Sequence, residues 1–503
     1  MINGEVNKIT IVGGGSAGWM TAAALSRMFG TTHDITLIES EEIGIIGVGE
    51  ATIPSIHLFH QLLGLDENEF LRETKGSIKL GIEFVNWYKA GHRYMHAFGT
   101  IGKDTGMVQF HNYWLKSYLN DPQDDLWKYS LNYQAAKHNK FERPENVNCA
   151  PLDGMPWAYH FDASLYAKYL RKYAEAKGVK RIEGKIVETK LDTETGYIAN
   201  VVMENGTEVD GDLFVDCSGF RSLLMGQALG VKFRDYTDIL PVNRACYVPC
   251  EGVSPITPYT RATAQDAGWS WRIPLQHRIG NGYVYCADYI SDDEACSVLL
   301  RNLDGPALAD PNIVKFGAGR REYGFYKNCV AIGLSNGFLE PLESTAIHFI
   351  QGAIARLIAL MPVKGIDKNL VDEFNEQGAT EFDMVRDFIV LHYVAQSDGE
   401  QRLKSKFWDD RRKMPIPESL RHKMDLFRNT GILSPNMYDL FKYPSWLQVL
   451  VGQGVIPQNP HAYANSIDVN NLKGYLGSIS QTINNAVAPL PLHDDFLKQA
   501  IMN

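Results

Sequence analysis

The sequence predicts an α/β protein: a Rossmann-like parallel sheet, interrupted by long insertions and followed by a mainly helical C-terminal region. Three observations predict this fold. Residues 8–39 have the pattern of strand, glycine turn, helix and strand; strand patterns at 213–219 and 329–335 return to the same sheet; and amphipathic helical patterns follow Leu370. The insertions are a Tyr- and Trp-rich stretch, 110–173, and a strand-rich block, 231–291.

Composition narrows the class of protein and its partners. The chain has 503 residues, of which 45% are hydrophobic and 21% are charged, as expected for a soluble globular protein of two or three structural units. A formal net charge of −10 and the lack of a Lys- and Arg-rich run argue against nucleic acid as a partner. We therefore expect small molecules as partners.

The N-terminal segment and the cysteines predict the cellular compartment of the protein. The polar residues 1–7 run directly into a strand pattern and leave no room for a secretion signal, and no window approaches the ~20 apolar residues of a membrane span. The seven cysteines are odd in number and lack zinc-ligand spacing. We expect a cytoplasmic protein with buried thiols, no membrane segment and no bound metal.

The glycine turn has the spacing of a dinucleotide-binding fingerprint. In Gly13-x-Gly15-x-x-Gly18 the first glycine permits the tight turn, the second lets backbone N–H groups approach a pyrophosphate, and the third lets helix and strand pack closely. Glu39 ends the next strand, where a carboxylate can bind ribose hydroxyls. The dispersed return strands favour FAD over NAD as the dinucleotide. A chance glycine turn is the alternative.

The dispersion of the strands also predicts the domain organisation. We expect an FAD-binding domain of the glutathione-reductase type over residues 1–370, with a substrate module inserted at approximately 85–175 and 231–325. Residues 371–503 are expected to form a mainly helical cap that completes the substrate pocket. No second glycine fingerprint follows a strand and opens a helix, so no nicotinamide site is expected.

Three further motifs each allow a functional and a structural interpretation. The glycine-rich apolar segment Gly44–Pro54 can lie against a flat ring, or it can be a flexible connector. Lys79 lies in the strand pattern Ser77–Phe84, on the face opposite its apolar residues. The pattern alone indicates a solvated lysine, whereas in an apolar tunnel the same group would be a hydrogen-bond donor or an amine nucleophile. The pair Trp269-x-Trp271 fits core packing or a role beside a flavin.

The segment Ser335–Ala346 runs from a strand into a helix. Ser344 or Thr345 is expected to cap this helix, and the free N–H groups of its first turn would form an anion site in which a halide could rest. Glu343 at the same helix end fits either a catalytic carboxylate or one that compensates the helix macrodipole.

Taken together, these motifs resemble those of the flavin-dependent tryptophan halogenases. They occur in the order and at the approximate spacing of that family, over essentially the whole chain: Gly13-x-Gly15-x-x-Gly18, Gly47-Val48-Gly49-Glu50-Ala51-Thr52, Lys79, Trp269-x-Trp271-x-Ile273-Pro274 and Pro341-Leu342-Glu343-Ser344-Thr345. Each motif is weak alone, but their joint occurrence is highly specific. The resemblance favours the functional interpretation of Lys79, of Glu343 and of the Trp pair.

The resemblance implies halogenation in two chambers. Reduced FAD and O2 give a flavin hydroperoxide, a bound chloride or bromide attacks its distal oxygen, and the hypohalous acid passes through a tunnel to an aromatic substrate. Lys79 would hold the hypohalous acid by a hydrogen bond, or as a haloamine, and aim the halogen at one carbon. Glu343 would accept a proton or stabilise the cationic ring intermediate. Trp269 and Trp271 would crowd the flavin so that no substrate is hydroxylated there.

Position matches to the family give the remaining binding residues. Thr345 and Ala346 fall at the halide-binding positions, where Ala346 replaces the usual glycine; a site built from backbone N–H groups tolerates alanine if φ stays negative. His96 and Phe98 resemble the substrate-pocket pair, and Trp446 supplies a further aromatic wall. The matched FAD contacts are Gly13, Gly15, Ser16, Ala17, Gly18, Glu39, Ala51, Val187, Leu334 and Ile347.

The C-terminal region departs from the tryptophan-specific members of the family. Those enzymes carry a tyrosine pair and an acidic residue there to fix the zwitterion, whereas this chain has Ser445-Trp446-Leu447-Gln448-Val449-Leu450. A buried free amino acid would lose polar partners worth about 1–3 kcal/mol each. We therefore expect indole, a substituted indole or a larger indole-bearing molecule as the substrate.

Two other functions are compatible with the fold. A flavin-dependent aromatic monooxygenase (hydroxylase) usually carries a Gly-Asp pair near the third return strand, where this chain has Gly333-Leu334-Ser335-Asn336. A non-enzymatic flavin carrier would not need both Lys79 and Glu343.

Because no nicotinamide site is expected, a separate NAD(P)H-dependent flavin reductase must supply reduced FAD as a transient partner. The sequence is also compatible with a homodimer.

Overall fold

The computed structural model describes residues 4–42, 49–395, 403–434 and 439–502. In chain order the strands are β1 (Lys8–Val12), β2 (Asp34–Glu39), β3 (Gly49–Ala51), β4 (Ser77–Lys79), β5 (Gly81–Val85), β6 (Arg93–Ala97), β7 (Ala158–Asp162), β8 (Lys180–Glu183), β9 (Ile186–Leu191), β10 (Ile198–Met203), β11 (Glu208–Asp210), β12 (Leu213–Asp216), β13 (Phe233–Asp235), β14 (Arg244–Cys250), β15 (Thr260–Gln265), β16 (Gly268–Pro274), β17 (Ile279–Tyr285), β18 (Asn312–Lys315), β19 (Gly319–Arg321), β20 (Phe325–Tyr326), β21 (Cys329–Ala331) and β22 (Gly337–Phe338).

The α-helices are α1 (Ser16–Phe29), α2 (Ile56–Leu63), α3 (Glu67–Glu73), α4 (His111–Asn120), α5 (Leu131–Lys137), α6 (Ala163–Glu175), α7 (Asp292–Arg301), α8 (Ala346–Ala359), α9 (Lys368–Val394), α10 (Lys406–Arg411), α11 (Glu418–Thr430), α12 (Tyr443–Gly452), α13 (Ala462–Ser466), α14 (Val469–Val487) and α15 (His493–Met502). Short 3₁₀ turns occur at Leu126–Tyr129, Pro144–Asn146, Gly219–Arg221 and Gly333–Ser335, and a π-helix at Leu223–Ala228.

The elements group into two units, each assembled from three separate chain segments. The first unit contains Met1–Gly76, Phe161–Asn243 and Lys315–Asp383, and the second contains Ser77–His160, Arg244–Val314 and Met384–Asn503.

The first unit is built on a six-stranded sheet in the order β20-β21-β12-β1-β2-β8. Its central strand, β1, runs parallel to both β2 and β12, and β12 in turn runs parallel to β21. The predicted βαβ unit and both return strands are therefore confirmed. Ile9, Ile11 and Val12 of β1 are almost completely buried, as expected for a parallel strand that is covered on both faces. Helix α1 packs against α6 and α8.

The second unit is built on a mostly antiparallel seven-stranded sheet in the order β18-β14-β17-β16-β15-β5-β6. Strand β16, which carries the Trp-x-Trp motif, lies between β15 and β17, and α12 packs against β6 at the edge of the sheet. The sequence pattern predicted one strand from Ser77 to Phe84, and this was wrong. The chain breaks at Leu80, whose N–H leaves the ladder to bond the Pro258 carbonyl at 2.8 Å, so that β4 and β5 are separate strands.

The C-terminal part of the chain is helical, as its sequence indicated: every regular element described after Lys368 is a helix. None of the helices in the described segments has the length and apolar character that a bilayer crossing requires. Six of the seven cysteines are buried, and Cys296 is half-buried.

Candidate functional site

The glycine turn of the first unit is tightly packed on one side and open on the other. Gly13 has φ of +111°, and a Cβ there would lie 2.3 Å from the Cys217 carbonyl oxygen. Gly15, at the N-cap of α1, differs: a Cβ at this position would meet no atom within 4 Å, and no side chain caps the helix. Because the N–H groups that open α1 lie beside this free space, the turn fits a pyrophosphate.

Glu39 lies against the glycine turn and is held by three donors. A Cβ on Gly14 would lie 1.6 Å from the Glu39 Oε2 atom, which places the carboxylate directly beside the turn. Oε2 accepts a hydrogen bond from Trp19 Nε1 at 3.2 Å, and Oε1 accepts one from Arg181 Nε at 2.5 Å, with Arg171 Nη1 at 3.5 Å. A carboxylate has about four acceptor positions, so these donors leave capacity for ribose hydroxyls.

The other proposed FAD contacts in the first unit differ in exposure. Ser16, Ala17 and Gly18 form the first turn of α1. Ala51 in β3 and Ile347 in α8 are buried, Leu334 lies half-buried in the 3₁₀ turn after β21, and Val187 in β9 is 63% exposed. Of the glycine-rich motif, residues 44–48 lie outside the described part of the chain, so the proposed ring-facing role of that loop remains a prediction.

The proposed halide site lies at the N-terminus of α8. Thr345 is the N-cap residue, which confirms one of the two residues that the sequence indicated, and its side chain makes no capping hydrogen bond. Ser344, the residue before it, has φ of +59° and turns the chain so that its own N–H bonds the Pro341 carbonyl. Since the Thr345 side chain does not cap the first-turn N–H groups of α8, these groups fit an anion. Ala346 is the first helical residue, a conformation that alanine readily adopts.

Two buried carboxylates precede this helix. Glu343 and Glu340 are each 1% exposed, although carboxylates are almost never fully buried without specific partners. The sequence indicated Glu343 but missed Glu340. Its position between Leu339 and Pro341, in an otherwise apolar stretch, was the available signal.

Lys79 in the second unit is completely buried. Its exposure is 0%, so the interpretation as a solvated strand lysine was wrong. Both faces of β4 are covered, since Ser77, Ile78 and Lys79 are all fully buried, and β7 pairs along the strand with Ala158 opposite Lys79. The ammonium lies 5.4 Å from the centre of the Phe98 ring, where a cation gains from the negative face of the ring.

The proposed substrate-pocket residues of the second unit belong to an aromatic cluster. Phe388 stacks on Phe441 with ring centroids 4.0 Å apart, and its ring contacts both His96 (5.6 Å) and Trp446 (5.1 Å). Trp446 donates its indole N–H to the Phe441 carbonyl at 3.1 Å. The Lys423 ammonium lies 4.0 Å from the centre of the Trp446 ring. Lys423 and the Phe441 carbonyl together hold the Trp446 side chain in place.

The two tryptophans of β16 have different surroundings. Trp269 is 1% exposed and packs beside Trp87, which forms an edge-to-face pair with Trp408 at 5.4 Å. Trp271 is half-buried and lies across Gly282, where a Cβ would come within 2.1 Å of the indole. Trp269 therefore contributes to the aromatic core of its unit, and the shielding of flavin by the pair remains a prediction.

Comparison with known proteins identifies the family. The sequence model of the tryptophan halogenase family matches residues 8–468 of this chain. The chain belongs to the tryptophan halogenase family. It is similar to tryptophan 6-halogenase SttH of Streptomyces toxytricini, with 38% identity over 483 residues that cover 90% of each chain. The family's activity is halogenation with reduced FAD, O2 and a halide, and an aromatic hydroxylase is not favoured.

Solved structures of halogenases match the whole fold. The structure of Xcc4156, a flavin-dependent halogenase from Xanthomonas campestris, has 44% sequence identity and a TM-score of 0.94, and the match covers 99% of this chain and 98% of that one. BrvH, a flavin-dependent halogenase from Brevundimonas sp. BAL3, has 42% identity and a TM-score of 0.93, with 98% and 99% covered. The Rossmann-like FAD-binding fold expected from the sequence is thus shown.

The halogenase site residues divide between the two units along the chain. The first unit contains the proposed flavin and halide residues with Glu343, and the second contains Lys79, the aromatic substrate residues and the Trp pair.

The sequence missed Arg181 because its partner, Glu39, lies 142 residues away and the β2–β8 pairing could not be inferred from either strand alone.

Proposed function

We propose that this halogenase acts on an indole-type aromatic without free amino-acid groups, and that Lys79 directs the halogen to the ring. The burial of Lys79 beside Phe98 carries the proposal. A lysine at 0% exposure is costly unless its charge or its amine is used, and an aromatic neighbour is suited to an aromatic substrate.

The first unit supplies the binding groups for flavin and halide. The glycine turn and the Glu39 carboxylate would hold the pyrophosphate and a ribose, and the N–H groups that open α8, at Thr345 and Ala346, would hold chloride or bromide. When bound, reduced FAD would donate two electrons to O2, which then takes two further electrons from halide and converts it to hypohalous acid, with release of water. A separate flavin reductase provides the reduced flavin.

Lys79 would then bind and orient the hypohalous acid. Its ammonium donates a hydrogen bond, and then a proton, to the oxygen of the acid, so that this oxygen leaves as water and not as hydroxide when the arene takes the halogen. The arene loses one proton in this step, so that hypohalous acid and Ar–H give Ar–X and water. The buried Glu343 carboxylate would accept that proton or stabilise the cationic ring before the proton leaves.

Hydrogen bonds made by two side chains of helix α12 support the choice of substrate. The hydroxyl of Tyr443 donates to Asp104 at 2.6 Å, and the side chain of Gln448 bonds the backbone of Ala97 at 2.9 and 3.0 Å. The helix carries no acidic residue. The side chains of Tyr443 and Gln448 are thus engaged within the protein, and an amino-acid zwitterion could not use them as partners when it is desolvated.

A substrate panel tests the proposal. The protein, FAD, a flavin reductase and NADH are incubated with indole, substituted indoles, free tryptophan, phenols and pyrroles in chloride or bromide, and products are read by isotope pattern in mass spectrometry. We expect halogenated indoles, with kcat/KM for free tryptophan at least about tenfold below that for indole, the effect of one lost polar contact. Tryptophan turned over as well as indole would refute the substrate assignment, and hydroxylated products without halogen would refute the function.

A further inference from the structure

The strand that carries Lys79 is held at the preceding residue by a histidine from the far end of the chain. His493, the first residue of α15, accepts a hydrogen bond from the Ile78 N–H at 3.1 Å through Nε2. Its Nδ1 lies 2.8 Å from the Ile256 carbonyl, which can only accept. The proton of the imidazole is therefore on Nδ1, and the ring acts as a neutral bridge between Ile78 and Ile256.

A second histidine fixes Ser77, two residues before Lys79. The Ser77 hydroxyl donates to the Pro274 carbonyl at 2.6 Å, so it must accept from His160 Nδ1, 3.0 Å away. The opposite nitrogen, Nε2, lies 2.9 Å from the Thr260 hydroxyl and accepts from it. The hydrogen bonds thus run in one direction, from Thr260 through His160 and Ser77 to Pro274, the last residue of β16.

Both imidazoles are buried and both bonding patterns require the neutral ring. Burial lowers the pKa of His493 to about 4, and burial, followed by the charge of Lys79, holds the pKa of His160 well below its usual value. A neutral ring keeps one acceptor and one donor, which the two bridges use completely. The cations near His160 are then Lys79 and Arg272, and the strand of Lys79 is anchored on both residues that precede it.

We infer that His493 and His160 are positioning residues for Lys79: they fix strand β4 so that the buried ammonium keeps one orientation toward the bound hypohalous acid. This inference rests on the proposed function of Lys79. Neither histidine need touch substrate, since each acts through the backbone of Ile78 or the side chain of Ser77. If either histidine is replaced, we expect the Lys79 ammonium to be misplaced while halide oxidation continues.

Two substitutions of His493 separate the two bonds of its ring. In His493→Asn the amide nitrogen can still donate to Ile256, but the acceptor for Ile78 is lost. In His493→Gln the longer side chain brings its amide oxygen to the position of Nε2 and restores that acceptor. Thr260→Val and Thr260→Ser form a second pair, because valine removes the donor to His160 and serine keeps it. The exposed His422→Asn, in the same unit, is the matched control.

The measured quantity is halogenated indole formed per O2 consumed, with escaped hypohalous acid captured by taurine and with the ratio of product isomers. We expect His493→Asn and Thr260→Val to lower this yield by up to about 100-fold, the cost of misplacing a reacting group by about 1 Å. O2 consumption should persist, captured hypohalous acid should rise, and isomer ratios should broaden. His493→Gln, Thr260→Ser and His422→Asn should keep the wild-type yield and isomer ratio.

The controls distinguish this inference from the proposed function. Wild-type coupling and isomer ratio in both His493→Asn and Thr260→Val would overturn the positioning role, while the proposed function would stand. A parallel loss of O2 consumption and product, with no escaped hypohalous acid, would also overturn it, because that result indicates general destabilisation. If wild-type protein yields no halogenated aromatic, the proposed function itself fails. Should His493→Asn not fold, the Thr260 pair alone decides the result.

Discussion

Gln448 binds both backbone groups of Ala97, the residue that lies between His96 and Phe98 in the sequence. Its side-chain oxygen accepts from the Ala97 N–H at 2.9 Å, and its side-chain nitrogen donates to the Ala97 carbonyl at 3.0 Å. Strand β6 lies at the edge of its sheet, so Gln448 takes the place of a neighbouring strand. A residue of α12 thereby fixes the segment that presents two proposed substrate contacts.

Replacing Gln448 by methionine should loosen this segment. Met fills a similar volume but leaves two buried backbone groups unbonded, which costs about 1–3 kcal/mol each. We expect a lower melting temperature and a KM for indole raised about tenfold, the equivalent of about 1.4 kcal/mol. Flavin-dependent O2 consumption should be unchanged. Gln481→Met on the exposed face of α14 is the control, and an unchanged KM in Gln448→Met would contradict this role.

Ala346 allows a direct test of the halide site. Because it is the first helical residue of α8, its backbone N–H has the orientation that a glycine would give it. We expect Ala346→Gly to alter KM for chloride and bromide by less than about threefold, and to lower stability by about 0.5–1 kcal/mol because glycine is the poorer helix former. Steady-state kinetics at varied halide concentration provide the measurement. A tenfold or greater gain in halide affinity would show that the alanine methyl obstructs the site.

Four buried histidines predict acid sensitivity. Burial lowers the pKa of His60 to about 3 and of His111 and His493 to about 4, and it also lowers the pKa of His160. Between pH 6.5 and these values the unfolded chain binds protons that the folded chain does not. The stability these groups contribute is therefore complete above about pH 6.5 and is lost as the pH falls, by up to about 1.4 kcal/mol per pH unit for each.

One carboxyl group opposes this trend. Desolvation raises the pKa of Glu50 to about 7, so the folded state gains a proton there as the pH falls. Four histidines outweigh one carboxyl, and we expect the melting temperature to drop steadily from about pH 7 to about pH 5. His111→Asn should flatten the slope by one histidine's share. A melting temperature that is constant or rises over this interval would contradict the pKa directions.

The central strands of the first unit could be predicted from sequence because their patterns are local. Residues 9–12 of the strand Lys8–Val12 are all β-branched and buried, and the glycine spacing after them is that of a tight strand-to-helix turn. The single strand predicted over Ser77–Phe84 was wrong because the pattern of alternating residues cannot show that the Leu80 N–H bonds the Pro258 carbonyl and that the pairing of β4 with β7 ends there.

The candidate site was predicted in part, and mainly by resemblance. Lys79 and Glu343 could be named from motifs, whereas the alternation of residues around Lys79 favoured a solvated side chain. The groups that hold the site together, such as Gln448 and His493, could not be found, because their partners lie 351 and 415 residues away. Contacts over such separations depend on the packing of whole units and leave no local pattern.

Lys79→Met provides the most direct test of the account. Methionine keeps the length and apolar stem of the side chain but removes its hydrogen-bond donor and its amine. Halogenated indole and consumed O2 are measured together, with taurine present to capture hypohalous acid, and Lys137→Met on the exposed face of α5 is the control. We predict continued O2 consumption, captured hypohalous acid and no enzymatic product. Wild-type yield with an unchanged isomer ratio in Lys79→Met would contradict the account.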